Sequence, residues 1–373
     1  MDGLKNVLVV GGGIGGMSCA IQLGRQGVKV DLIDSDPDWR VYGAGITITG
    51  PTLRAFRTLG VLDEVSRQGF ASYGIRVFTP DGQLIGEVPQ PPLEQGIPSQ
   101  GGIMRPLLHK ILSERTLASG ANVRLGLTID AVEQVGGGVE VRFSDGGQGR
   151  YDLLVGADGA FSRTRQLVFP EAPKPTFTGQ GCWRITTRRP ADVDWAEFYA
   201  GAKVRTGLTP CSQEQMYLWA LSAEPGNPWY EPKDWPELMR ERLQGFGGTV
   251  AGVRDSISPE SFVVYRPLES VLTPRPWSRG RVVLIGDAVH ATTPHLASGA
   301  GMAVEDAIVL ADELDRGETV EDALAAFEER RFERCRMVVV NSGRLGEIEL
   351  AQGSVEEHQD LMARTNLALA EPI

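Results

Sequence analysis

Residues 6–34 restrict the fold more than any other part of the chain. NVLVV at 6–10 is a continuous apolar, β-branched run, as a parallel strand buried on both faces requires. GGGIGG follows at 11–16, then a segment with helical spacing to residue 26, then a second apolar run at 28–33 that closes on Asp34. Strand, glycine turn, helix, strand and terminal acid together form a dinucleotide-binding βαβ unit, with Gly11, Gly13 and Gly16 at the fingerprint positions and Ile14 and Gly15 between them. An acid at position 34 can accept hydrogen bonds from a ribose and disfavours a 2′-phosphate. This first site therefore selects NAD or FAD over NADP, without separating NAD from FAD.

A second glycine-rich loop lies far away in sequence. RGRVVLIGDAVHATTPHLASGAGMAVED at 279–306 reads as a strand at 282–285, a sharp turn at Gly286-Asp287, and a loop broken by Pro294. A helix then opens at about Met302. Glycines let a ligand approach the backbone closely, and the unpaired N–H groups of a helix start favour negative charge. Asp287 is placed to accept hydrogen bonds from ligand hydroxyls. Two such loops suggest a clamp on a two-ended cofactor.

Between them the texture changes. Residues 73–79 and 84–88 bracket Pro80-Asp-Gly, a hairpin signal, and 89–98 is a proline-rich loop. Arg105 heads a helix at 106–118. Segments 123–125, 131–134 and 138–143 read as strands of a meander, and 152–155 as another buried strand, followed by GADGAFSRTR. From 178 to 262, aromatic-rich alternating runs separated by proline and glycine loops indicate an antiparallel sheet with one helix at 236–243. The remainder is helical: 304–314, 319–340 and 354–368. Arg330, Arg331, Arg334 and Arg336 read as a solvated helix face.

The expected fold is α/β: a Rossmann-like dinucleotide-binding domain with an inserted antiparallel β-sheet substrate domain and C-terminal helices. The cofactor domain takes 1–71, 100–177 and 267–316, the substrate domain 72–99 and 178–266, and the helices 317–373. The net charge of −11, with no basic block, argues against nucleic acid or an anionic membrane as partner. No apolar run approaches the roughly 20 residues of a membrane span. The N-terminus carries no secretory pattern, and four scattered cysteines fit a cytoplasmic protein with free thiols. The four histidines form no metal-ligand pattern, so no metal is expected.

Three segments together, GGGIGG at 11–16, GADGAFSRTR at 156–165 and RVVLIGDAVHATTPHLASGAGMAVEDA at 281–307, resemble the flavin-dependent aromatic hydroxylases of the para-hydroxybenzoate hydroxylase type. The resemblance implies that the Rossmann-like domain is an FAD-binding domain (GR2-type). It also implies that Gly11, Gly13 and Gly16 cradle the FAD pyrophosphate, that Asp34 holds the adenosine ribose, and that Arg105 contacts the ribityl and phosphate region. It places Asp158, Gly159 and Arg165 in a DG motif tied to FAD and NAD(P)H. Gly286 and Asp287 go to the ribityl–pyrophosphate region and Pro294 to the flavin's reactive face. Gly299, Ala300, Gly301 and Met302 supply backbone N–H groups to the pyrimidine edge. In two respects the chain departs from the family. Ser298 and Met302 replace the glutamine and asparagine of the common GQGxN loop, and Thr47 stands where relatives acting on hydroxypyridines carry histidine.

The activity so implied is an NAD(P)H- and O2-dependent monooxygenase that hydroxylates a small phenol-like aromatic or heteroaromatic through a flavin C4a-hydroperoxide. NADH or NADPH is the co-substrate and the protein is a monomer or homodimer. Substrate contacts are expected from Arg184, Tyr217 and Trp219, the latter two on one face of a strand. Pro294 and Tyr217 are the catalytic candidates. His290 and His295 are read as structural hydrogen-bonders rather than bases. The rival readings are another FAD oxidoreductase on this scaffold, a reductase or halogenase, or a flavin-binding interaction protein without catalysis. The lack of a WxWxIP stretch weighs against a halogenase.

Overall fold

In the computed structural model, which describes residues 4–41, 43–200 and 203–373, Asn6–Val10 lies inside a six-stranded sheet. The spatial order is Ser278–Arg279, Val282–Leu284, Leu153–Gly156, Asn6–Val10, Lys29–Asp34 and Asn122–Leu125. All pairings are parallel except the hairpin at its edge. Val7 and Val9 enter the main core, which includes the helices Ile14–Arg25 and Gly299–Arg316; Leu8 and Val10 enter a second core on the other face. Both faces are dry, which is why the strand shows no polar alternation.

The second core belongs to the meander Ile129–Val135, Gly138–Phe143 and Gln148–Tyr151. Asn122–Leu125, expected in that meander, instead extends the parallel sheet beside Lys29–Asp34. A four-residue strand carries too little periodicity to reveal its partner.

The inserted sheet has seven strands, in the order Val263–Ser270, Thr176–Arg188, Gln215–Ala223, Arg205–Pro210, Ala196–Tyr199, Gly74–Phe78 and Leu84–Pro89. It therefore runs past the expected boundary at 266. Its pairings are antiparallel, save that Ala196–Tyr199 runs parallel to Gly74–Phe78. Strand alternation divides its residues between two environments. Trp183, Ile185, Met216 and Leu218 pack outward under the helices Trp235–Arg242 and Gly248–Ser256. Tyr217 and Trp219 take the opposite face, in a small apolar cluster with Ala44 and Cys211. The Gly248–Ser256 helix was not expected; its GTVAGVRDS sequence holds only two buried apolar residues, too few to show a stripe.

A three-stranded sheet, Gly45–Thr49, Gln100–Met104 and Phe70–Ser72, bridges the two units. Its central strand reads QGGIM, and a Cβ at Gly102 would sit 2.1 Å from the carbonyl oxygen of Pro210. Close backbone contact with the inserted sheet explains the glycines that hid this strand in the sequence.

The C-terminal helices Val320–Leu350 and Val355–Ala370 close the structure. Arg331 and Arg334 are not a solvated face. The Arg331 side chain is 1% exposed and pairs with Glu305 and Asp306, while Arg334 pairs with Glu305 and caps the last helix through the carbonyls of Ala368 and Leu369. Only Arg330 and Arg336 stay near the surface. Near the end of the same long helix, Glu349 joins four parts of the fold. Its carboxylate accepts from Arg205 and Gln180 of the inserted sheet, from His295 of the second glycine loop (3.2 Å) and from His358 of the last helix (3.0 Å).

These partners hold the Glu349 carboxyl far below the ordinary glutamate range: burial opposes ionisation, and the hydrogen bonds from His295 and His358 and the Arg205 charge overcome it. A depressed folded-state pKa contributes stability that is full above the unfolded value of about 4.3 and is lost as pH falls below it. Glu349→Gln should therefore lower the melting temperature most at neutral pH. The gap to the parent protein should shrink in melts recorded between pH 5 and pH 3.

Candidate flavin site and its neighbouring cleft

The first glycine loop is shaped by two contacts. A Cβ at Gly16 would lie 1.8 Å from the Gly11 carbonyl oxygen, so the helix can start this close to the strand only with glycine there. Gly13 differs. It is the N-cap of Ile14–Arg25, it offers no capping side chain, and a Cβ on it would meet nothing within 4 Å. The helix start thus presents its free N–H groups to open space, the arrangement that binds phosphate. Asp34 stiffens the loop: Oδ2 accepts the Gly12 N–H (2.6 Å) and Oδ1 accepts the Asp36 N–H (2.8 Å). Trp39, which the sequence reading passed over, donates its indole N–H to the Gly12 carbonyl (2.9 Å) and meets the His109 ring edge-on.

The second loop faces the first across the packed pair of helices Ile14–Arg25 and Gly299–Arg316. Asp287 opens a one-turn helix, Asp287–His290, after Gly286 in the left-handed region at φ 60°. Its carboxylate has no hydrogen-bond or ion-pair partner among the described residues, and the residue is exposed. Protein surrounds it even so, and its pKa is raised, burial outweighing the attraction of His290 and Arg105. The long helix starts at Gly299, three residues before the expected start. Its N-cap residue, Ser298, turns its hydroxyl to the Leu296 carbonyl and leaves the helix end uncapped. A Cβ at Gly301 would lie 2.2 Å from Thr52 Oγ1, which fixes glycine there. The Met302 N–H, expected to face the cofactor, is instead taken by the Ser298 carbonyl (2.9 Å), because Met302 already lies in the first full turn. That leaves Gly299, Ala300 and Gly301 as donors.

Arg105 comes between the loops, from the head of Arg105–Ala118. Burial lowers its pKa and the neighbouring charge of Arg184 lowers it further, while Tyr217 and Asp287 pull the other way. Two guanidinium groups with no hydrogen-bond or ion-pair partner among the described residues therefore converge with one partnerless carboxylate. Such charges are costly to leave unpaired and mark the place of a charged ligand. Beside them the Tyr217 hydroxyl lies 2.7 Å from Thr47 Oγ1, which lies 3.0 Å from Thr209 Oγ1. Burial pushes the Tyr217 phenol up, so it stays neutral at physiological pH. Pro294 begins the short 3-10 turn Pro294–Leu296. His295 behind it is buried between Thr293 Oγ1 (2.8 Å) and Glu349.

Asp158 and Arg165 form a structural motif of their own. Asp158 accepts the Ser162 hydroxyl and both the N–H and the hydroxyl of Thr164. Arg165 donates to the carbonyls of Ala160 and Ala288, both at 2.6 Å, and so ties the DG loop to the one-turn helix of Asp287. Expected at the cofactor, Arg165 has its two terminal nitrogens committed to the backbone, since a buried guanidinium must fill its donors locally.

Two helix starts, the open cradle at Gly13, and the partnerless Arg105 and Asp287 match a long ligand with an anionic middle. Comparison with known proteins gives the class. Residues 5–342 match the family model described as an FAD binding domain. The chain is 33% identical to the 2-heptyl-3-hydroxy-4(1H)-quinolone synthase of Pseudomonas aeruginosa strain PAO1, over 92% of this chain and 90% of that one. It is 30% identical to the 6-hydroxynicotinate 3-monooxygenase of Bordetella bronchiseptica, over 91% and 90%. Klebsiella pneumoniae HpxO, solved with FAD and uric acid, has the same fold (TM-score 0.87, 23% identity, covering 99% of this chain and 96% of that one). The protein belongs to the FAD-dependent aromatic monooxygenases: it is an enzyme, and FAD is its cofactor. That membership sets aside the reductase, halogenase and non-catalytic readings.

The two loop glycines should separate binding from folding. Gly13→Val, which fills the open cradle, should give a folded protein that purifies colourless. Gly16→Val, with a carbonyl 1.8 Å from its Cβ, should fail to fold. Circular dichroism and flavin absorbance of the two variants make the check.

Proposed function

We propose that the enzyme hydroxylates a planar heteroaromatic ring carrying an ionisable group, a carboxylate or a ring hydroxyl that ionises, and that Arg184 is its anion contact. The observation that carries this reading is the partnerless Arg184 guanidinium on the inner face of the inserted sheet, close enough to Arg105 to lower that residue's pKa. The acid 6-hydroxynicotinate named for one relative, and the uric acid bound by HpxO, are ligands of this kind.

Bound FAD accepts hydride from NAD(P)H and activates O2. Every other role falls to side chains. Gly13 and the N–H groups of Gly299, Ala300 and Gly301 hold the cofactor, with Asp34 at its ribose, Arg105 at its phosphates and Asp287 at its sugar-chain hydroxyls. Arg184 fixes the substrate anion and so orients the ring. Tyr217, kept neutral by burial, donates or accepts one hydrogen bond at the ring oxygen, and its contact with Thr47 and Thr209 gives the proton a short path along three hydroxyls. Trp219 forms an apolar wall next to Tyr217. Pro294, next in the chain to the buried His295, would meet the reacting face of the cofactor. With cofactor and substrate bound, the inner face of the inserted sheet would cover the ring and exclude water, which an oxygen-transfer site requires.

Thr47, Thr209 and Tyr217 take the place of the histidine found in hydroxypyridine-specific relatives. No imidazole base stands at that position, and a substrate that is already acidic suits it. A cytosolic monomer or homodimer completes this reading; four free, buried cysteines support a reducing compartment. No helix among the described residues is long and apolar enough to cross a membrane.

The test is NADH and NADPH oxidation with a panel of hydroxypyridine carboxylates, hydroxybenzoates, purine diones and 4-quinolones. Substrate-triggered oxidation with one added oxygen in the product, found for anionic ring compounds, is the expected result. A response confined to neutral quinolones would overturn the assignment of Arg184. For an acid substrate, Arg184→Gln should raise KM by about 10- to 100-fold, as loss of a charged hydrogen bond of roughly 1.5–3 kcal/mol implies, with a smaller change in kcat. The amide analogue of that substrate should lose much less.

A further inference from the structure

Beneath the second cofactor loop lies a charge cluster that the roles above leave unused. Asp306 Oδ2 accepts the Gly286 N–H (2.8 Å) and lies 2.6 Å from His290 Nε2. These two residues flank the one-turn helix that presents Asp287, so one oxygen atom clamps both ends of it. The other oxygen, Oδ1, accepts Arg331 Nε (2.8 Å). Arg331 also bonds Glu305 (2.8 Å) and the Met302 carbonyl (3.3 Å), in the first turn of the helix that carries the other set of cofactor donors. The side chains of His290, Asp306, Glu305 and Arg331 are all 2% exposed or less.

We infer that His290 is a permanently charged imidazolium which, through Asp306 and Arg331, positions Asp287 and biases the site toward the reduced, more negative form of the flavin. The geometry supports the charge. The 2.6 Å contact of His290 Nε2 with Asp306 Oδ2 is as short as a bond between two ionised partners, and Arg331 and the Gly286 amide hold Asp306 ionised beside it. The remaining charged or titratable neighbours of His290 are Asp287 on its own turn and Cys335 on the long helix, whose sulfur lies 3.7 Å from Asp306 Oδ1; the Trp277 ring packs beside it. Electrostatics agrees: despite burial, Cys335 and Asp306 together hold the His290 pKa well above the ordinary histidine value. His290, Asp306 and Cys335 also have metal-ligand atoms within 4.8 Å of one another, but the Arg331 guanidinium already supplies the cation that a metal would provide.

This inference rests on the bound FAD and not on the proposed substrate, so it can fail while the substrate reading stands. The experiment uses the holoenzyme and two variants, His290→Gln and Cys335→Ala. The first keeps a hydrogen-bond donor and removes the charge; the second disturbs packing in the same cluster but leaves Asp306, and with it the imidazolium, in place. For His290→Gln the FAD dissociation constant should rise about tenfold. The preference for reduced over oxidised flavin should fall about tenfold, read as a midpoint potential about 30 mV more negative for a two-electron couple. Cys335→Ala should leave the potential unchanged. An unchanged potential in His290→Gln, or an equal shift in both variants, overturns the inference. Should His290→Gln not fold, the parent protein decides: with 15N-labelled histidine, His290 should be protonated on both ring nitrogens at pH 8. A neutral ring there overturns the proposal.

Discussion

A carboxylate cannot remain ionised in a protein interior unless cations and donors surround it, and Asp306 is the residue on which that rule bears most heavily here. Burial works against its charge, and His290, Arg331 and the Gly286 amide outweigh the penalty, so its pKa falls well below the aspartate range. Each of those three partners belongs to a different element. Gly286 ends the turn after a core strand, His290 closes the one-turn helix of Asp287, and Arg331 comes from the long C-terminal helix. Satisfying one buried charge thus fixes one cofactor loop against the helix that carries the other cofactor donors and against the C-terminal part of the chain.

Glu349 is a second anchor of the same kind. It joins the inserted sheet, the Pro294 turn and the last helix through Arg205, Gln180, His295 and His358. Other charged groups are consumed by neither anchor: the guanidinium groups of Arg105 and Arg184 and the carboxylate of Asp287 have no hydrogen-bond or ion-pair partner among the described residues. The contrast between paired and unpaired charges separates the groups that hold the fold from those available to a ligand.

The same contrast explains how far the sequence could be read. The glycine loops were legible because the chemistry of close backbone approach leaves only glycine at Gly11, Gly16 and Gly301. The strand Asn6–Val10 was legible because burial on both faces requires an unbroken apolar run. Arg331 and Arg334 were misread as solvated, because a charge run on a helix looks the same whether its acids come from water-facing neighbours or from another helix. The strand Gln100–Met104 was missed because its glycines serve a contact with Pro210, and nothing local signals that contact. Arg165 was assigned to the cofactor because its motif is a cofactor motif, yet its donors answer carbonyls at Ala160 and Ala288.

By itself, then, the sequence determined the class of fold, the cofactor and the kind of chemistry, since these depend on residue types at short spacing, where local geometry leaves few alternatives. Only the tertiary structure decided which charged groups are available to a ligand. Whether Arg105 or Arg331 is free depends on what lies within about 3 Å of its guanidinium, the range of a hydrogen bond. For Arg331 that neighbour is Asp306, 25 residues away in the chain. For Arg105 there is none among the described residues.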